Sequence, residues 1–239
     1  SMRKFLRFFS HWLPQTFRRC KAHVIAATLM LLLPAIAGYV AVSAAPALIR
    51  VFAPPQFVEL IDQYGRIDQR GAGEMSAYTT FYIINNVTVS FLAFTSGLLL
   101  GLGSFYHLVK NGAILGAMLA AVGQAGATRP FVSFISAHGG IEMFAIVLAG
   151  AAGLRIGTAM INPGEVSRGR ALIEAGIDAG TIMFGVILML LIAAGVEAWI
   201  SPSPNIPDVA KWILGLLILS SVIAYYCVVG RASPAQPPP

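Results

Sequence analysis

Six apolar runs limit what this chain can become. They extend from Val24 to Ile49, Asn85 to Phe105, Ala113 to Ala127, Ile141 to Gly157, Thr181 to Trp199 and Trp212 to Val229, each set off by a polar or Gly/Pro-containing stretch. Runs of about 20 residues match the hydrocarbon thickness of a bilayer once coiled as helices. A helix also bonds its own backbone, which lipid cannot do for it. Only 11% of the residues are charged and 57% are hydrophobic. The expected fold is therefore all-α, a polytopic helical membrane protein with about six transmembrane helices. The third run holds only about 15 residues against about 20 for a full span, so it reads as short and tilted or as re-entrant.

The flanks of these runs supply the topology. From Arg3 to Leu13, Phe5, Phe8, Phe9 and Trp12 recur at helical spacing opposite Lys4, Arg7 and His11, the pattern of an amphipathic helix lying in the membrane surface. Residues 1–23 form this interfacial element and 24–231 a single integral membrane domain, with an amphipathic outer segment at 50–78. A Pro-rich tail occupies 232–239. Asn162-Pro163-Gly164-Glu165 reads as a helix start, opening an inner helix through Asp178 whose Arg170, Glu174 and Asp178 form a solvated charged stripe. Eleven Lys and Arg fall on one side of this arrangement, including Lys110 in an expected turn at 106–112, and five on the other. Basic residues favour the cytoplasmic face, so both termini are expected in the cytoplasm. The net charge of +6 is explained by topology, and no nucleic-acid partner is expected; the lipid bilayer is the first partner.

Ionisable groups at the edge of a hydrocarbon-facing segment are costly, so they mark candidate sites. His138 and Glu142 lie four residues apart at the head of the fourth run, on one face of a helix. In the six-helix topology Asn85, Asn86, Gln124 and Glu197 end at the same leaflet. A histidine with two carboxylates suits a divalent metal, a proton relay or a cationic ligand. The plainer reading is structural, with the acids satisfied by His138, by the Asn side chains or by interfacial water. No nucleophile stands beside a base and no metalloprotease His pair is present; no catalytic residue, cofactor or resident metal is expected. Small residues suited to close helix packing recur at Gly97/Gly101, Gly112/Gly116, Gly153/Gly157 and Gly176/Gly180, with Ala149 on the same face as Gly153. So many pairs suggest a homodimer or higher oligomer.

The segment from Asn85 to Phe94 with Gly97, Gly101 and Lys110-Asn111-Gly112 resembles the stage II sporulation protein M family. So do His138-Gly139-Gly140-Ile141-Glu142, Ala149 to Arg155, Pro163-Gly164, Glu197-Ala198-Trp199 and Ser201-Pro202-Ser203. The likeness covers 78–207 in unbroken order. It implies a non-enzymatic protein of the bacterial cytoplasmic membrane that anchors or organises peptidoglycan-remodelling partners. A transporter, channel or lipid-handling protein using the outer His/Glu cluster is the alternative.

Overall fold

A computed structural model of the chain describes residues 2–53, 55, 58 and 72–231, apart from the side chains of 72–82. The tail at 232–239 and nearly all of the outer segment at 50–78 lie outside the described side chains. No strand occurs among the described residues. The chain begins with α1 (Met2–Arg7), a π-helical turn (Phe8–Trp12) and α2 (Leu13–Arg19), which lead into α3 (Lys21–Ala44) and the short α4 (Ile49–Phe52). After these come α5 (Ala72–Thr95), α6 (Leu102–Gln124), the short α7 (Thr128–Ile135), α8 (Gly139–Ile161), α9 (Arg168–Trp199) and α10 (Asp208–Val228). Helices α3, α6, α8, α9 and α10 are long and apolar enough to cross a membrane, while the apolar stretch at the end of α5, Ile83–Leu98, is shorter.

Helix α8 is the axis of the bundle. Of its most apolar window 67% is buried, against 22% for α3 and 17% for α10, and α3, α5, α6, α9 and α10 all pack on it. A helix apolar on every side belongs in such a place. Its Ala145, Ala149, Ala152 and Gly153 are buried, and their small size lets neighbouring backbones come close, which is what holds helices together in lipid. A Cβ on Gly97 would strike the backbone of Gly153, and one on Gly157 would strike Gly101. Gly38, Gly112 and Gly116 do the same for the parallel pair α3 and α6, facing the carbonyls of Ala113, Leu31 and Ala35. Three of the four glycine pairs are thus used inside one chain. Only around Gly176 and Gly180 is there open space, so the number of pairs no longer argues for an oligomer.

Two turns differ from expectation. The stretch 106–112 lies within α6, and the chain reverses earlier, at 99–101, where Leu100 (φ 56°) and Gly101 (φ 82°) adopt left-handed backbone. Glycine enters that region without steric cost. The polar residues that suggested a turn are accommodated by the helix itself. Asn111 Nδ2 donates to the His107 carbonyl at 2.7 Å, Lys110 stands 5.8 Å over the Tyr106 ring, and Gly112 serves packing. Consequently α6 has 23 residues and is neither short nor re-entrant. The expected helix start at Asn162 is instead a connection in which Gly164 has φ 72°. Ser167 caps α9, its hydroxyl accepting from the Arg170 N–H at 3.4 Å. With no breaker after Asp178, the inner helix and fifth span are one helix of 32 residues.

The N-terminal segment packs on the bundle along part of its length. Met2, Phe5 and Leu6 are exposed, but Leu13, Pro14, Gln15 and Thr16 are buried, and Phe8 meets Phe184 edge-on at 5.2 Å. Arg18 Nη1 donates to the carbonyls of Tyr226 at 3.0 Å and Val229 at 2.8 Å, which places both termini at one end of the bundle. That end is the terminal end; the opposite one carries α7.

The packing predicts a contrast between glycines. Gly116→Ala drives a methyl into the Ala35 carbonyl and should destabilise by about 1–3 kcal/mol, as overpacking does. Gly176→Ala meets nothing and should stabilise by about 0.5–1 kcal/mol, the helix-interior preference for alanine. Thermal melting in mild detergent compares the two; equal effects would contradict the packing.

Candidate functional site

The site grows from the N-terminus of α8. The His138 carbonyl accepts the N–H groups of Ile141 (3.1 Å) and Glu142 (3.2 Å), which makes His138 the cap residue and stacks Glu142 one turn above it on the same face. A carboxylate in the first turn also suits the positive end of the helix dipole. From α9, Glu197 reaches the same point. His138 Nε2 lies 3.9 Å from Glu142 Oε2 and 4.0 Å from Glu197 Oε1, beyond hydrogen-bond range. All three side chains are buried, with 4%, 5% and 0% of their surfaces exposed.

Neighbouring helices brace two members of the trio. Asn86, on α5, donates from Nδ2 to Glu142 Oε2 at 2.7 Å. The hydroxyl of Ser201, in the turn after α9, is 2.7 Å from His138 Nδ1, which leaves Nε2 turned to the carboxylates. Lys211, buried on α10, donates to the Ser201 carbonyl at 2.8 Å. Above them α7 closes the end of the bundle opposite the termini. Its Phe134 ring packs edge-on against His138 at 5.4 Å, and Asp208 of α10 receives both Arg129 (3.0 Å) and Ser133 (2.6 Å). Glu197 is the exception: both its oxygens are buried without a hydrogen-bond partner. A serine beside an imidazole is also a hydrolase feature; Ser201 is 2% exposed.

Of the residues singled out by sequence, the structure brings together His138, Glu142, Glu197 and Asn86. Asn85 is about 100° round the helix from Asn86 and joins none of these bonds. Gln124 serves the end of α3, donating to the carbonyls of Val42 at 3.0 Å and Ser43 at 3.5 Å. Ser201 and Lys211 were not singled out as site residues, because a serine in a Ser-Pro turn and a lysine at a helix start read as punctuation.

A second cluster stands at the terminal end. Asp178 is 2.7 Å from Arg19 and 3.3 Å from Arg155. Arg170 and Glu174 do form an exposed pair at 3.1 Å, but the stripe they begin runs onto the bundle within one turn, so Asp178 is buried rather than solvated. Cys20 lies beside it, and burial, reinforced by the Asp178 carboxylate, pushes its thiol up to about 11.

Nearly all of the residues that build the His138 cluster fall within one family pattern. The family pattern described as stage II sporulation protein M matches residues 27–202. The chain belongs to the stage II sporulation protein M family. Compared with curated proteins and with solved structures, it matches none. The family region takes in α3 and the outer segment, which lie outside the resemblance read from sequence at 78–207. It includes Asn86, His138, Glu142, Glu197 and Ser201, so the His138 cluster apart from Lys211 and Asp208 belongs to the family portion. What the match gives is a membrane protein of this family with several apolar helices.

The bracing of Glu142 has a measurable consequence. Glu142→Ala strands the half-buried Asn86 donor, and leaving a polar group unsatisfied costs up to about 1–3 kcal/mol. Asn86→Ala should cost a comparable amount, and the double variant less than the sum, with a coupling of about 0.5–3 kcal/mol. Asn85→Ala should show no coupling to Glu142. Melting temperatures of the parent, the three single variants and the two double variants with Glu142→Ala test this, and additive losses for the Asn86 pair would remove the bond from the account.

Proposed function

We propose that this family member is a non-enzymatic membrane scaffold that anchors or organises peptidoglycan-remodelling partners in the bacterial cytoplasmic membrane, with both termini in the cytoplasm. The observation that supports a scaffold over a conduit is the character of the interior. Between the outer cluster and the Arg19–Asp178–Arg155 cluster, the buried polar side chains among the described residues are Ser90 and Ser104. Ser104 is bonded to the Ala93 carbonyl at 2.6 Å, and Gly97 and Gly153 are in backbone contact there. Ions need a continuous series of polar groups or a wet cavity to cross such a region. Among the described residues the packed core between the clusters offers no such series.

The orientation rests on basic residues. With Lys110 now inside α6, ten Lys and Arg among the described residues remain at the terminal end against three at the other, Arg50, Arg129 and Lys211, still the bias of a cytoplasmic face. The outer segment and the cluster would then face the cell wall, where remodelling enzymes work.

Three measurements test the reading. Reporter tags inserted at Gly164 should report a cytoplasmic position and tags at Pro204 an external one; the reverse would invert the assignment. Crosslinking in native membranes should recover a peptidoglycan-degrading enzyme whose localisation is lost when the chain is deleted. Solute flux through reconstituted vesicles, with no such enzyme recovered, would replace the scaffold with a transporter.

A further inference from the structure

We infer that His138, Glu142 and Glu197 form a binding site for one divalent transition-metal ion of the zinc type, held at the outer ends of α8 and α9. The three side chains offer one nitrogen and two oxygen donors that lie within 4.8 Å of one another, all buried. With the distances to Nε2 at 3.9 and 4.0 Å, a point equidistant from the three atoms is about 2.5 Å from each, and zinc bonds of about 2.0–2.2 Å need the ligands to close in by only a few tenths of an ångström. Imidazole with carboxylate selects a borderline cation such as zinc, manganese or iron(II) over magnesium or calcium.

Glu197 is the second, independent indication. A fully buried carboxyl with both oxygens unpartnered is what a structure avoids unless something charged sits against it. The acid does not turn towards a donor but towards the Nε2 of His138, the one imidazole nitrogen that Ser201 does not engage. Ser201 on Nδ1 and Asn86 on Glu142 are the outer partners that metal-ligating histidines and carboxylates ordinarily have, fixing the tautomer and aiming the lone pairs. Charge points the same way. Two ionised carboxylates and a neutral imidazole need two positive charges to be neutral in a closed apolar setting, and a divalent ion supplies both. Three protein ligands leave one position for water or a small ligand. Such an ion would pin α8 to α9 whatever the protein holds at the membrane, so metal binding and partner capture succeed or fail separately.

The test uses the full chain in mild detergent, stripped with EDTA and reloaded with Zn²⁺ alone. The expected result is one zinc per chain by elemental analysis and a higher melting temperature, with a Co²⁺ absorption spectrum of nitrogen and oxygen ligation on substitution. Glu197→Gln should weaken zinc at least about tenfold, and Glu174→Gln, on an exposed pair, should not. The melting data add a sign change: in EDTA, Glu197→Gln should melt at or above the parent, because an unpartnered acid has gone, and in zinc it should melt below. Should Glu197→Gln fail to fold, Ser201→Ala removes no ligand and should weaken zinc by about 10–100-fold, as loss of an outer partner does. No zinc retained by the parent, zinc retained equally by Glu197→Gln, equal destabilisation of that variant with and without metal, or unchanged affinity in Ser201→Ala would each overturn the site.

Discussion

Backbone-to-backbone approach around α8 is the contact on which the rest of the bundle depends. In lipid there is no hydrophobic gain from bringing two apolar helices together, so association comes from dispersion and from how closely the helices fit. Gly97 against Gly153 and Gly101 against Gly157 bring α5 and the turn after it onto α8 at distances no side chain would permit. The α3–α6 pair closes in the same way through Gly38, Gly112 and Gly116. Larger apolar residues on the outer faces, such as Leu33, Ile36 and Leu217, are exposed. They face what in a membrane is acyl chain, and for them exposure carries no penalty.

This packing also explains where the polar groups are. From Glu142 to Arg155 along α8 is about 20 Å at 1.5 Å per residue, a distance short of the full hydrocarbon thickness, and the interior between is almost entirely apolar. Charges are therefore pushed to the two ends. At the terminal end the problem is solved locally, with one aspartate between two guanidinium groups. At the other end two acids meet one imidazole, a set deficient in positive charge. The same burial that makes the first cluster a structural clasp makes the second one a place where a cation belongs.

The two ends differ in their neighbours as well. The terminal end is wrapped by α1 and α2, which tie the start of the chain to its end through Arg18. The other end is capped by α7, whose Arg129 and Ser133 are fastened to α10 through Asp208. Between the two ends the core is closely packed and, among the described residues, almost free of buried polar side chains.

The sequence by itself determined the fold class and much of the cluster. Apolar runs of membrane length leave helices as the only answer, because lipid forbids an unpaired backbone, and the four-residue spacing of His138 and Glu142 puts them on one face of whatever helix they enter. That Glu197 meets them also follows once the helices alternate in direction. Tertiary structure decided the rest. Tyr106 to Gly112 is as polar as a turn, yet Gly112 is needed against Leu31, so the helix continues through it. Asp178 shares a stripe with Arg170 and Glu174, and only the position of the bundle's rim separates the solvated pair from the buried acid. Asn86 rather than Asn85 bonds Glu142, since which of two adjacent residues faces a neighbour depends on how α5 is rotated about its axis. Periodicity fixes faces within a helix; rotation, depth and choice of neighbour come from close packing between helices, which no local pattern encodes.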